Sequence, residues 1–255
     1  MNIGVFHADS LAGPMKELKK AFEVQKPEIT VNLTSGRSKE LAERILKGDA
    51  CDVFAPSDPQ VIKAMTGVKI GDQEAASWYV TFSANEMVVI TKKGNPLGLK
   101  KMTDLAGANV KVARVTGEKD MATNRTIEFI NKATAEEGAP NLGPEIVNGT
   151  QFKVAAIPDA VQAVKDGGAD ASVVYRSAAV AAAKEIDFIV FSPAVNLSEA
   201  IRNVVTVPGT SAKVEESLQF IKFILSDSGR LILQNAGQPP VVPPLKEGNV
   251  PAYLN

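Results

Sequence analysis

Hydroxyl-bearing and small residues stand at five places where a β-like run gives way to a helical one, and together they supply the chemistry of anion binding. The segments are His7-Ala8-Asp9-Ser10-Leu11, Thr34-Ser35-Gly36-Arg37-Ser38, Asp120-Met121-Ala122-Thr123, Pro158-Asp159-Ala160 and Val174-Tyr175-Arg176-Ser177. A helix start carries N–H groups with no acceptor inside the helix, and the positive end of the helix dipole. Ser and Tyr hydroxyls added to such N–H groups bind an anion without needing a cation. Taken singly, each segment has an ordinary reading. A Ser at a helix start is most often a cap, Tyr175 alone reads as a core aromatic with its hydroxyl at the surface, and Asp159 after Pro158 reads as a cap or first-turn charge. Their joint placement at strand ends, where parallel α/β folds keep their ligand crevices, points to a site.

Other chemistries lack their parts. His7 is the only histidine and Cys51 the only cysteine, so a His/Cys zinc site has no third or fourth ligand and no intrachain disulfide forms. A nucleophile would depend on His7 as its base. His7 reads instead as locally bonded, and Cys51 as a small core residue. No Gly-x-x-x-x-Gly-Lys-Ser/Thr loop and no Gly-x-Gly-x-x-Gly fingerprint occurs, so the reading is a binding protein with no cofactor and no enzymatic activity.

The elements that position the five segments alternate β-branched runs with helical spacing, which predicts an α/β fold with largely parallel sheets. Strands are expected at 2–7, 29–33, 52–55, 82–91, 110–115, 150–155, 171–175, 188–190 and 204–207. Helices are expected at 11–25, 38–47 (stopped by Gly48), 59–65, 122–135, 158–166, 177–184 and 215–233, the last followed by the Pro-rich tail 237–244. The pattern divides discontinuously. Residues 1–83 and 194–255 make one lobe and residues 84–193 the other, with crossings near 82–88 and 189–196. Two crossing strands act as a hinge, and the cleft between such lobes is where a ligand is expected.

Composition sets the outer limits. The 255 residues are 45% hydrophobic and 22% charged with a formal net charge of -1, which suits a globular protein and gives nucleic acid no basic stripe to follow. No apolar run reaches the roughly 18–20 residues of a membrane span, and the N-terminus opens on a β-like run without a signal-peptide pattern.

Read in order, several stretches resemble the periplasmic molybdate/tungstate-binding proteins of ABC importers, which are type II solute-binding proteins. They are F-H-A-D-S-L with Pro14, T-S-G-R-S-K, A-C-D-V-F-A-P-S-D, A-N-E-M-V-V-I, V-Y-R-S-A-A-V and G-Q-P-P-V-V-P. The resemblance spans essentially the whole chain. It implies a two-lobed fold, each lobe a mixed, mostly parallel sheet flanked by helices. It also implies a periplasmic protein with its signal peptide removed, a membrane permease as partner, and a molybdate or tungstate ligand. The site residues it implies are Ser10 and Ser35 through hydroxyl and N–H, Ala122 and Ala160 through N–H, and Tyr175 through its hydroxyl. A monomer is the default.

Asp9, Ser38, Asp120 and Arg125 are additional candidates. The second loop offers Ser35 and Ser38 alike. Asp120 falls where archaeal members place one of two metal-completing carboxylates, but the other position, a Glu before the tyrosine, is Val174 here. That departure favours an intact four-coordinate oxyanion. An all-donor site suits a fully deprotonated dianion, because hydrogen phosphate brings a proton that needs an acceptor; sulfate is distinguished only by size. The alternative cargo is sulfate, phosphate or a small organic acid, the last clamped by Arg125 or Arg176.

Overall fold

The computed structural model describes residues 1–117 and 121–254, and within them the chain forms two compact units, Met1–Ala84 with Ile201–Asn255, and Asn85–Ala200.

The first unit is built on a parallel sheet in which Asn2–Ala8 lies between Thr30–Gly36 and Val53–Ala55. Its apolar residues sit at Ile3 and Val5, and the helix Ala12–Gln25 covers them with Met15, Leu18 and Phe22, all buried at helical spacing. Helix Ser38–Leu46 buries Leu41, Ala42 and Ile45. It is followed by Gly48 at φ 102, in the left-handed region that ends helices most easily on glycine. A second, antiparallel sheet has Trp78–Ala84 at its centre, flanked by Arg202–Val205 and Pro240–Gly248. The stretch expected as a Pro-rich tail is thus an edge strand. Its register breaks between Pro240 and Leu245, where Pro243 and Pro244 have no N–H to offer the ladder.

In the second unit five strands run in the order Ile186–Ile189, Met87–Lys92, Ala171–Tyr175, Val112–Val115, Phe152–Val154. The last three are mutually parallel, while Met87–Lys92 is antiparallel to both its neighbours. This sheet is therefore mixed, whereas the first unit combines a parallel sheet with a separate antiparallel one. Apart from a two-stranded ladder of Lys69–Ile70 and Gln73–Glu74, the strand pairs that run antiparallel all include Trp78–Ala84 or Met87–Lys92.

Three expectations need correction. The single strand expected over 82–91 is two strands, because Asn85 Oδ1 takes the Glu86 N–H at 3.0 Å and the Glu86 carboxylate is buried, so the ladder stops there. The helix expected over 215–233 is broken at Ser226, which leaves the helical region (φ -71, ψ 167) and caps the following helix by accepting the Gly229 N–H at 3.3 Å. Residues 194–200, read with the first lobe, pack in the second unit: Met87 N–H donates to Asn196 O at 2.8 Å and Asn196 Nδ2 to Glu86 Oε2 at 2.6 Å. The helix Leu142–Asn148 was not anticipated. Only Leu142, Ile146 and Val147 give it an apolar face, too short a run for periodicity to register.

Candidate functional site

In the first unit, parallel register brings the first two segments side by side. His7 is opposite Ser35 and Ala8 opposite Gly36, so both strands end at the same level. The turn Asp9–Leu11 and the loop after Gly36 then leave the sheet together. A β-carbon on Gly36 would lie 3.1 Å from Leu41 Cδ2, so glycine is what lets the next helix pack this close to the strand end. Ser35 Oγ donates to Asp9 Oδ1 at 2.6 Å, and both residues are exposed. The Ser10 carbonyl accepts from Gln238 Nε2 at 2.5 Å. Ser38 is engaged locally: its hydroxyl accepts the Ser57 N–H at 3.2 Å, tying the loops after the second and third strands.

The second unit repeats the arrangement. Val112–Val115, Phe152–Val154 and Ala171–Tyr175 are parallel neighbours, and helices Met121–Glu136, Ile157–Lys165 and Arg176–Ala181 follow them. Ala122 and Ala160 are both buried. Tyr175 is half-buried, and its hydroxyl oxygen accepts from Arg125 Nη1 at 3.3 Å while the guanidinium carbon stands 5.9 Å from the ring centre. Arg125 therefore belongs to this cluster, one turn along the helix that begins beside Ala122.

Two of the expected groups already have partners within the chain. The Ala160 N–H already donates to Ala156 O at 3.2 Å. By helix geometry the donors without an intrahelical acceptor in that turn are Ile157 and Asp159, since Pro158 has no N–H. Arg176 is no free clamp. Its Nη1 is 2.7 Å from Glu86 Oε1 and its N–H donates to Glu86 O at 2.8 Å. Arg37 pairs with Glu40 at 3.2 Å at the surface, and Glu128 pairs with Lys132. Asp120 lies outside the described residues.

The reactive residues the sequence offers are put to structural use. His7 is buried, its Nδ1 is 2.9 Å from Ala8 O, and burial holds its pKa below the usual value. Burial pushes the Cys51 thiol up to about 12, and its Sγ is 3.2 Å from Val53 O. Among the described residues no three His, Cys, Asp or Glu side chains gather as a metal site, and no helix is long and apolar enough to cross a membrane.

Sequence reasoning passed over Gln238 and Glu86, which hold Ser10 and the residue after Tyr175. Gln238 was visible only as part of the G-Q-P-P motif, and Glu86 as a charge inside an apolar run.

Asp9 has a consequence for anion binding. Its carboxylate occupies the Ser35 hydroxyl and places a negative charge beside a donor loop. Asp9→Asn is expected to tighten binding of a dianion about three- to tenfold, the effect of removing one screened like charge a few ångströms away. Calorimetry at constant ionic strength checks this; unchanged affinity would put Asp9 outside the site.

Residues 3–238 match the family described as bacterial extracellular solute-binding protein. The chain is 26% identical over 238 residues to the molybdate-binding protein ModA of Mycobacterium tuberculosis (strain ATCC 25618 / H37Rv), covering 92% of this chain and 84% of that protein. It is 24% identical to the molybdate/tungstate-binding protein WtpA of Pyrococcus abyssi, covering 98% and 88%. A solved substrate-binding domain from Clostridium difficile superposes with a TM-score of 0.74 at 21% identity, over 94% of this chain and 99% of that one. The periplasmic molybdate-binding protein of Azotobacter vinelandii gives 0.68 at 18% identity, over 92% and 98%. The sulfate-binding protein SubI of Mycobacterium tuberculosis H37Rv gives 0.69 at 15% identity, over 95% and 88%. With a type II periplasmic-binding-protein fold and a family match over nearly its whole length, the chain belongs to the bacterial extracellular solute-binding proteins.

Proposed function

We propose that this protein captures a tetrahedral oxyanion, molybdate or tungstate, outside the cytoplasmic membrane and delivers it to an ABC import permease. The observation that carries this reading is the presence of two donor sets, one at the strand ends of each unit. Ser10 and Ser35 supply hydroxyls in the first. Tyr175, the N–H of Ala122 and the first turn of Ile157–Lys165 supply the second. Donors of this kind stabilise a fully deprotonated dianion without a paired cation. In this reading the hydroxyls and N–H groups of these sets are the anion's hydrogen-bond donors. The molybdate-binding relatives support this cargo; the sulfate-binding structure keeps sulfate as a competitor.

A second reading has its own observations. Arg125 beside Tyr175 gives a carboxylate a cation to bind, and Asp9 gives hydrogen phosphate an acceptor for its proton. A thermal-shift screen followed by calorimetry separates them, using molybdate, tungstate, sulfate, phosphate and small carboxylates. We expect a large stabilisation by molybdate and tungstate, about 2.7 kcal/mol at a hundredfold excess over Kd, and little by sulfate. A response confined to phosphate or carboxylates would transfer the function to that class.

A further inference from the structure

In each unit a chain of buried or half-buried polar side chains runs from a donor loop to the segments by which the polypeptide passes into the other unit. In the first, Gln238 is fully buried and donates through Nε2 to Ser10 O at 2.5 Å. Its Oε1 accepts from Asn203 Nδ2 at 2.6 Å, and the same amide donates to Ser83 Oγ at 2.9 Å. Ser83 and Asn203 are cross-strand partners, and they stand directly beside the crossings at 84/85 and 200/201. In the second, Glu86 accepts from Arg176 Nη1 at 2.7 Å and from Asn196 Nδ2 at 2.6 Å, and its carbonyl accepts the Arg176 N–H. Asn85 Nδ2 donates to Ser177 Oγ at 2.8 Å. Arg176 and Ser177 follow Tyr175 directly, and Asn85, Glu86 and Asn196 flank the same two crossings.

These chains are poor devices for stability alone. Buried polar groups cost free energy unless every one is bonded, and each chain leaves one atom without a partner among the described residues, Asn203 Oδ1 and Arg176 Nε. Apolar side chains would fill the same space without that cost. What hydrogen bonds add is direction: they fix a loop in orientation as well as in place.

We propose that Gln238 and Glu86 are positioning residues for anion binding, each holding one donor loop in its bonding orientation and tying it to both crossings. This rests on the reading of Ser10 and Tyr175 as donors. Gln238 acts through Ser10, and Glu86 acts through Arg176 on Tyr175.

The test is a double-mutant cycle on the full chain, with molybdate binding read by calorimetry and folding by thermal unfolding. Gln238→Met keeps the volume and removes the amide. It is expected to weaken binding at least tenfold in the wild-type background and less than threefold in the Ser10→Ala background, because the hydroxyl whose placement it sets through the Ser10 carbonyl is already gone. Equal losses in the two backgrounds would mean that Gln238 acts only on general stability, and would overturn the assignment. Should Gln238→Met fail to fold, Glu86→Gln with Tyr175→Phe tests the same proposal with the same thresholds. A wild-type protein that binds no oxyanion at all defeats the functional reading itself, whereas a binding wild type with additive cycles defeats only the positioning role.

Discussion

Ser10→Ala combined with Tyr175→Phe is expected to weaken oxyanion binding by about 2–6 kcal/mol, the sum of two hydrogen bonds to a charged ligand at roughly 1–3 kcal/mol each. Both changes delete a single hydroxyl and keep the shape of the side chain, so the loss reports on donors and not on packing. Ser10 sits half-buried at the turn that leaves the first strand, and its carbonyl stays bonded to Gln238 whether or not the hydroxyl is there. The phenylalanine ring at 175 still meets the Arg125 guanidinium, but the oxygen that accepts from Arg125 is gone. Calorimetry with molybdate should show each single variant weakened and the double variant weakened by more than either. If the double variant binds within threefold of wild type, the donor sets assigned to the two units are wrong.

Phe22→Ala should lower the stability of the protein by about 3–5 kcal/mol, as removal of a buried ring does when the cavity cannot collapse. Phe22 is 2% exposed and joins helix Ala12–Gln25 to helix Val214–Leu225. Its ring centre lies 5.1 Å from that of Phe220 at an interplanar angle of 69°, and 5.6 Å from that of Phe223. Edge-to-face contacts of this kind add to the area term. They also join the beginning of the chain to a segment near its end, so the loss falls on the contact that makes one unit out of two distant stretches of sequence. The midpoint of urea unfolding should fall, while anion affinity measured well below the transition stays within about twofold of wild type. A fall in stability of less than 1 kcal/mol would mean that the neighbouring rings close the gap.

Short-range features were legible because they are encoded within a few residues. The parallel strand at the start, the helix ended near Gly48, and the strand over Ala171–Tyr175 follow from periodicity and breakers. So did the hydroxyls at strand ends, because a loop that opens a helix advertises itself by composition. Asp159 did what its position predicts, accepting the Ala156 N–H at 3.2 Å. The partners of Arg176 and Ala160 were not legible. One is Glu86, 90 residues away in the chain, and the other depends on which turn of the helix carries the spare N–H groups.

What the sequence determined by itself is the alternation of strands and helices and the family, since these rest on residue type and order. What only the tertiary structure decided is which polar side chains are already taken. Ser35 is bonded to Asp9, Ser38 to Ser57, Arg176 to Glu86 and the Gln238 amide to the Ser10 carbonyl, the last across 228 residues of chain. The reason is physical: a hydroxyl, amide or guanidinium has the same donors wherever it stands, and its function is set by the partner that folding brings within 3 Å or so of it.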